Sequence, residues 1–303
     1  MAETLKPAIF IGFDRPDLGQ VCLKPLLDLP KLYLFCDGPT ENVPSTQKEY
    51  KIIFDKIKKQ RRSLPTEIWT PNNNHGPLHG PPSAFLWMLE KEKRGTIVEE
   101  DVLTTPAFHA YASWALDTFE NQEDIIALSS GVPSAFEHLN SPFSKSNLFL
   151  VWGWASWYNK IKNIKFPDPD ITPDFPKLGL LKRLHYQRLY RTLISNPHYA
   201  WSPYIQFYLL KNNKSIIFPK YKTTQNIGIS PTARRTKGQA DTPPEPLPEN
   251  LRLSSFLPHL SQREELLIFK KKNGGWYKEL RVRLAIRSKA AKLKRLLSLR
   301  NLS

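Results

Sequence analysis

Cysteine is nearly missing from this sequence. Cys22 and Cys36 are the only two in 303 residues, which excludes a disulfide framework and leaves no cysteine pair at metal-ligand spacing. Both stand in apolar surroundings, as small buried hydrophobes do, and a reducing cytoplasmic setting is the expectation. No run of 18 or more apolar residues occurs, so no membrane-crossing helix is expected. Residues 1–7 lack the basic-then-apolar order of a secretory leader. Acidic residues are absent after Glu279, while Arg281, Arg283, Arg287, Lys289, Lys292, Lys294, Arg295 and Arg300 follow. That tail carries half of the net charge of +16. The remainder is ordinary for a domain that handles anionic ligands. A hydrophobic content of 40% with 12% aromatics excludes a disordered chain. No internal repeat is present.

What is present is an alternation. Apolar runs at 8–13, 32–36, 67–69, 96–98 and 125–128 are separated by helical patterns at 21–29, 45–62, 82–93 and 106–120. In the second helix Tyr50, Ile53, Phe54 and Ile57 share one face. Strands and helices alternating in this way predict an α/β fold, a mostly parallel sheet flanked by helices. Polar residues follow the strands directly: Asp14 and Arg15, then Asp37, then Asn72, Asn73 and Asn74, then Glu99, Glu100 and Asp101. Open parallel sheets bind ligands at the carboxyl ends of their strands, so a nucleotide site is expected along that edge.

The acidic triplet is the feature around which the rest is arranged. It closes an apolar strand and precedes a helix start at Pro106, where proline suits the first turn. Adjacent carboxylates repel one another and are costly to desolvate, which points to a metal or phosphate-metal site. A solvated acidic turn is the alternative. Further on, Trp152, Trp154 and Trp157 flank Gly153 in an apolar stretch. They form either a core cluster or a flat platform for a sugar ring. Residues 178–195 read as a basic helix with a solvated face. At Trp201 a further helix begins, with Ser202 as N-cap and Pro203 in the first position. Residues 215–218 form a strand, and 221–238 are irregular, ending in Arg234, Arg235 and Lys237. Residues 133–146 read as loop. Four prolines between 242 and 248 mark a boundary, giving a domain over 1–241, a connector and packing segment over 242–279, and a basic helix over 280–303.

With these residues in place, the sequence resembles the bacterial nucleotide-sugar transferases related to the N-acetylglucosaminyltransferase I catalytic domain, of the GT-A fold. The resemblance spans about residues 8–237. Its motifs are Phe13-Asp14-Arg15-Pro16, Cys36-Asp37-Gly38-Pro39, Val98-Glu99-Glu100-Asp101 before Thr105-Pro106-Ala107-Phe108, Trp152-Gly153-Trp154-Ala155-Ser156-Trp157, and Gln225-Asn226-Ile227-Gly228. It implies that Phe13, Arg15, Asp37, Asn74 and His79 serve the nucleotide. It also implies that Glu99 and Glu100 face the ribose and donor sugar, and that Asp101 of this DXD-like motif binds Mn²⁺ or Mg²⁺. Trp152, Trp154, Trp157 and Trp201 are the candidate acceptor platform.

The resemblance further implies an inverting transferase that moves a hexosyl or N-acetylhexosaminyl group from a nucleoside diphosphate sugar. The acceptor would be a hydroxyl of a glycan or lipid-linked molecule, as in cell-surface polysaccharide synthesis. Two residues depart from the family pattern. Ser202 stands where an aspartate general base is usual, and a serine hydroxyl cannot take a proton unaided at neutral pH. Arg235 stands where a histidine is usual, and arginine neutralises a diphosphate but cannot ligate a metal. A degenerate sugar or nucleotide binder is therefore the alternative, followed by a basic nucleic-acid-associated protein, although no nucleic acid is expected. In the tail, Val282, Ile286, Ala290, Leu293 and Leu297 recur at helical spacing. The expectation is a cytoplasmic protein that adheres to anionic membrane through 281–303.

Overall fold

The computed structural model describes residues 4–41, 45–131, 141–172, 175, 178–196, 198–229, 241–244 and 257–272. In chain order the first elements are β1 (Ala8–Gly12), α1 (Pro16–Leu23), β2 (Leu32–Cys36), α2 (Thr46–Gln60), β3 (Thr66–Trp69) and α3 (Gly76–Glu92). Then come β4 (Arg94–Glu99), β5 (Val102–Thr104), α4 (Pro106–Thr118), β6 (Ile125–Ser129), β7 (Phe143–Ser146) and β8 (Trp154–Trp157). The last are α5 (Tyr158–Ile161), α6 (Leu180–Ser195), α7 (Ser202–Lys211), β9 (Ser215–Pro219), β10 (Thr224–Asn226) and α8 (Gln262–Lys272). Two compact units are distinguished, Met1–Leu260 and Ser261–Ser303.

In the first unit, β1, β2 and β6 are buried along their whole length, which is why they read as unbroken apolar runs. The main sheet has eight strands in the order β3-β2-β1-β4-β8-β6-β9-β7. Strands β3, β2, β1 and β4 are parallel, as are β6 and β9. Strands β8 and β7 run against their neighbours. Phe10 and Leu34 pack with Cys22 of α1, Leu26 of the turn that follows it, and Tyr50 and Phe54 of α2 on one face. On the other, the Tyr33 ring meets Trp87 of α3 edge-on at 4.9 Å. Helices therefore cover both faces, in accord with the expected mostly parallel α/β sheet. At the end of α2, the buried Arg61 guanidinium donates to the carbonyls of Leu26, Leu27 and Leu29, tying that helix to the turn after α1.

The structure departs from the sequence expectations in five places. Helix α1 begins at Pro16, five residues before the expected start at 21, and ends at Leu23. Helix α3 begins at Gly76, six residues before the expected start. Residues 143–146, expected as loop, form edge strand β7. Strands β5 and β10 were not expected, and they pair antiparallel in a small second sheet. Strand β8 lies in the middle of the main sheet, between β4 and β6. Arg234, Arg235 and the 280–303 tail lie outside the described residues. No helix among the described residues is long and apolar enough to cross a membrane. In the second unit, α8 starts on a reciprocal cap. Glu264 N–H donates to Ser261 Oγ at 3.3 Å, and Ser261 N–H donates to the Glu264 carboxylate at 2.8 Å.

His109 of α4 gives the core a pH response. Its ring is buried, with Nε2 3.0 Å from Thr104 Oγ1 and Nδ1 without a partner. Burial pushes its pKa down to about 4. In the unfolded chain a histidine titrates near about 6.5, so the neutral ring's stabilisation is complete above that pH and is lost as pH falls toward the folded value. Acidification across this window is expected to cost about 3 kcal/mol of unfolding free energy through this residue. Urea titrations of wild type and His109→Gln check this. An equal slope of stability against pH in the two would remove His109 as the cause.

Candidate functional site

The site is built at the carboxyl ends of β1, β2 and β4. Strand β4 leaves the sheet at Glu99, and the chain turns through Glu100 and Asp101 into β5. Strand β10 pairs with β5, and Ile227 N–H donates to the Asp101 carbonyl at 2.8 Å. The acidic turn is thus held from both sides.

Its three carboxylates have different surroundings. Glu100 is buried and accepts five hydrogen bonds: from the amides of Phe13 (2.7 Å), Asp14 (3.3 Å) and Arg15 (3.2 Å), from Arg15 Nε (3.2 Å) and from Tyr50 Oη (2.6 Å). The loop after β1 folds its backbone around this carboxylate, as amide nests do around anions. That fills the acceptor capacity of Glu100. The assignment of Glu100 to the ribose or donor sugar is therefore corrected, because it positions the 13–15 loop instead. Phe13 contributes its backbone amide to that loop, with its side chain half-buried.

Arg15 crosses from this loop to Asp101, with Nη2 3.1 Å from Oδ2. Burial works to lower the pKa of its guanidinium, but Asp101 and Glu100 outweigh that and raise it. Burial holds the Asp101 carboxyl above the usual carboxylate range, partly countered by Arg15. Glu99, half-buried at the end of β4, is pushed up to about 8 by burial and then by the charge of Asp101, against a hydrogen bond from the Trp201 side chain. Gly228 closes over the ion pair. A Cβ there would lie 2.5 Å from Arg15 Nη1, 2.6 Å from Asp101 Oδ2 and 2.7 Å from Asp101 Cβ. Gly228→Ala is expected to force the pair apart and cost about 1–3 kcal/mol. Thermal and urea unfolding measure this, and a variant as stable as wild type would show that the turn yields freely.

Asp37 ends β2 with its carboxylate also occupied. It accepts from the amides of Gly38 (2.8 Å), His75 (2.9 Å) and Gly76 (2.9 Å) and from Asn74 Nδ2 (3.3 Å). Four donors fill its capacity, so in this structure it fixes the 72–76 loop and the first amides of α3. Asn74 Nδ2 also donates to the Gly38 carbonyl at 2.7 Å. Gly80 permits this approach, since a Cβ there would stand 2.8 Å from Asp37 Oδ2. His79, expected in a loop, sits in the opening turns of α3 with its ring centroid 6.4 Å from that of His198.

The tryptophans divide. Trp154 and Trp157 are enclosed on opposite faces of β8, as their spacing in a strand requires. Trp154 stacks with Trp201 at 5.5 Å and meets Phe85 edge-on, while Trp157 Nε1 donates to the Leu116 carbonyl at 2.9 Å. Both are core, not platform, because β8 is a central strand covered on both sides. Trp201 is buried as well, with only its polar edge reaching Glu99. Gly153, at φ +81°, breaks the extension that would have put Trp152 on the same face as Trp154. Trp152 remains partly exposed. Ser202 is the first residue of α7 and makes no side-chain cap, so the expected N-cap is displaced to Trp201.

Three participants escaped the sequence reading. Tyr50 read only as an apolar position. Gly228 stands in a sequence motif that gives no sign of its contact with Arg15 and Asp101. Lys222 is buried against Asp241, Nζ to Oδ1 at 2.6 Å, while Asp241 Oδ2 accepts from Asn226 N–H at 2.9 Å and so fixes β10.

The fold and the site together define a mostly parallel α/β sheet with a cluster of polar side chains at its strand ends. No family model and no curated protein matches the chain. Among solved structures it is similar to the glycosyltransferase GlyE of Streptococcus pneumoniae TIGR4, at 14% identity over 70% of this chain and 45% of that one, with a TM-score of 0.37. It thus spans less than half of that enzyme's length. It is also similar to a UDP-glucose pyrophosphorylase complexed with UDP-glucose (10% identity, 73% of this chain, 93% of that one, TM-score 0.40). A third is HddC from Yersinia pseudotuberculosis (12%, 58% and 87%, TM-score 0.32).

Proposed function

We propose that the protein is a glycosyltransferase that takes a sugar from a nucleoside diphosphate donor, UDP-linked, to a hydroxyl of a glycan or lipid-linked acceptor with inversion. The observation that carries this reading is the Arg15–Asp101 pair, set on a buried Glu100 at the carboxyl ends of parallel strands. The Arg15 side chain is 39% exposed although Nε and Nη2 are held by Glu100 and Asp101, so its guanidinium can offer its remaining N–H donors and its charge to a phosphate oxygen. The 72–76 loop, fixed by Asp37, forms the neighbouring wall for the nucleotide. Among the four candidate platform tryptophans Trp152 alone is not fully buried, and it packs partly against the core.

A divalent cation fits this donor set in a limited way. Among the described residues no group of three or more His, Cys, Asp or Glu is arranged to hold a metal. Mg²⁺ and Mn²⁺ need no such cage, since one carboxylate together with phosphates and water suffices. With Glu99 pushed up to about 8 and so largely neutral, Glu100 and Asp101 against the single Arg15 guanidinium still leave the turn net negative, which suits a cation. Asp101 is the residue that would hold it. When bound, the cation would supply charge neutralisation to the departing diphosphate.

Thermal-shift measurements with a panel of nucleotide sugars, with and without Mn²⁺, test donor binding. Asp101→Asn is expected to abolish the Mn²⁺-dependent part of UDP binding, a loss of about tenfold or more. Affinity unaffected by the change would remove Asp101 as ligand. Arg235→Ala is expected to weaken donor binding, and unchanged affinity and turnover would end its proposed phosphate role. Ser202 favours a second reading, a donor-binding protein without catalysis. Donor hydrolysis or transfer in the presence of acceptor separates the two.

A further inference from the structure

The first turns of α2 reach both sides of the strand-end cluster. Gln47 and Tyr50 stand three residues apart on the buried face of that helix. Their side chains go to different strand ends. Gln47 Nε2 donates to the Asp37 carbonyl at 3.3 Å and to the Pro71 carbonyl at 2.6 Å. A side-chain amide has two N–H donors, and these bonds use both. They tie the end of β2 to the start of the 72–76 loop, whose far end the Asp37 carboxylate holds at the His75 and Gly76 amides. Tyr50 Oη turns the other way. It lies 2.6 Å from Glu100 Oε2 and 3.1 Å from the Arg15 carbonyl. Burial, and then the Glu100 charge, raise the Tyr50 pKa, so the hydroxyl stays a donor. Three glycines allow these approaches. A Cβ at Gly12 would stand 2.7 Å from Tyr50 Cζ, and one at Gly19 would stand 2.3 Å from Tyr50 Oη. One at Gly38 would stand 2.2 Å from the Asn73 carbonyl.

We propose that Gln47 and Tyr50 are positioning residues for the donor, and that together they set the separation between its nucleoside and diphosphate subsites. The inference rests on the nucleotide-sugar reading above. Glu100 and Asp37 have their acceptor capacity filled, so each acts on a ligand only through the loop it holds. Helix α2 is the element that both loops share. Through Glu100, Tyr50 fixes the 13–15 loop and so the direction of the Arg15 guanidinium. Through the Asp37 and Pro71 carbonyls, Gln47 fixes the loop that forms the nucleoside wall. Three residues of helix separate the two by about 4.5 Å along the axis. That fixed spacing keeps the two subsites from sliding independently, and it makes each residue answer for a different part of the same ligand.

The test is ligand-observed NMR titration of the full chain with uridine, pyrophosphate and UDP in the presence of Mg²⁺. Tyr50→Phe should weaken pyrophosphate and UDP about fivefold, the worth of one hydrogen bond, and leave uridine within about twofold of wild type. Gln47→Met should give the crossed result, weakening uridine and UDP several-fold while pyrophosphate stays as in wild type. Gln47→Asn keeps the amide but cannot span both carbonyls. It should show the same pattern at a smaller cost in thermal stability, and so serves if methionine at this buried position impairs folding. A loss that falls alike on all three ligands in each variant would mean that these residues serve stability alone, and would overturn the proposal. So would affinities unchanged from wild type. Wild type that binds neither UDP nor its two fragments would instead overturn the nucleotide-sugar reading, and the inference with it.

Discussion

Glu100→Ala should be the most damaging single change in the first unit, lowering the unfolding free energy by about 3–5 kcal/mol. The substitution removes one buried acceptor and leaves three amides and a guanidinium nitrogen without it, while the Tyr50 hydroxyl keeps only the Arg15 carbonyl at 3.1 Å. Arg15 would remain with Asp101 and Asp14, but the loop that aims it would have nothing to close on. Donor binding should therefore fall with stability. Tyr50→Phe removes one of the five bonds and should cost only about 1 kcal/mol. Glu100→Gln keeps the shape but presents an amide NH₂ to groups that are already donors, so it should lie between the two. Urea unfolding of the three variants measures the order. A Glu100→Ala chain within about 1 kcal/mol of wild type would show that the loop is held by something else.

Asp241→Ala should be nearly as costly, at about 3–5 kcal/mol, for a different reason. Lys222 and Asp241 are each 5% exposed, so the change strands an ammonium group in the interior with only Thr242 as partner. It also releases Asn226 N–H and weakens β10, on which the acidic turn leans. Lys222→Met/Asp241→Leu removes both charges and should recover most of the loss, because the penalty lies in the unpaired charge. A double-mutant cycle by chemical denaturation reads this directly. Additive losses in the double variant would mean that the two groups do not act as a pair.

These two residues show where sequence reading stops. The sheet was legible because β1, β2 and β6 are buried on both sides and appear as unbroken apolar runs. The location of the polar edge was legible for the same reason, since Arg15, Asp37 and Asp101 follow the apolar runs of β1, β2 and β4. Strands β5 and β10 were not, because three-residue strands containing Thr, Gln and Asn have no hydrophobic period to detect. The start of α3 was hidden by Gly76, Pro77, Gly80, Pro81 and Pro82, which read as loop. What holds its first amides is the Asp37 carboxylate, from a strand about forty residues earlier. Glu100 looked like its neighbours in the triplet. Only the partners supplied across 85 to 87 residues of chain distinguish it. Trp154 and Trp157 carried an even choice between core and platform, which the insertion of β8 into the middle of the sheet decided.

The scarcity of cysteine has a practical consequence for the region beneath the polar cluster. Cys36 ends β2, paired in register with Gly12 at the end of β1, and Cys22 lies in α1 within the same cluster as Tyr50. Neither thiol is accessible, and burial with the nearby carboxylates pushes Cys22 up to about 12 and Cys36 in the same direction. Thiolate is the reactive form, so each sulfur is silent in the closed protein. With no other cysteine in the chain, the rate of labelling by a soluble thiol reagent reports opening of this one corner. The molecule therefore carries two native probes beneath the Arg15 loop, through which a ligand's grip on that loop can be timed without introducing a label.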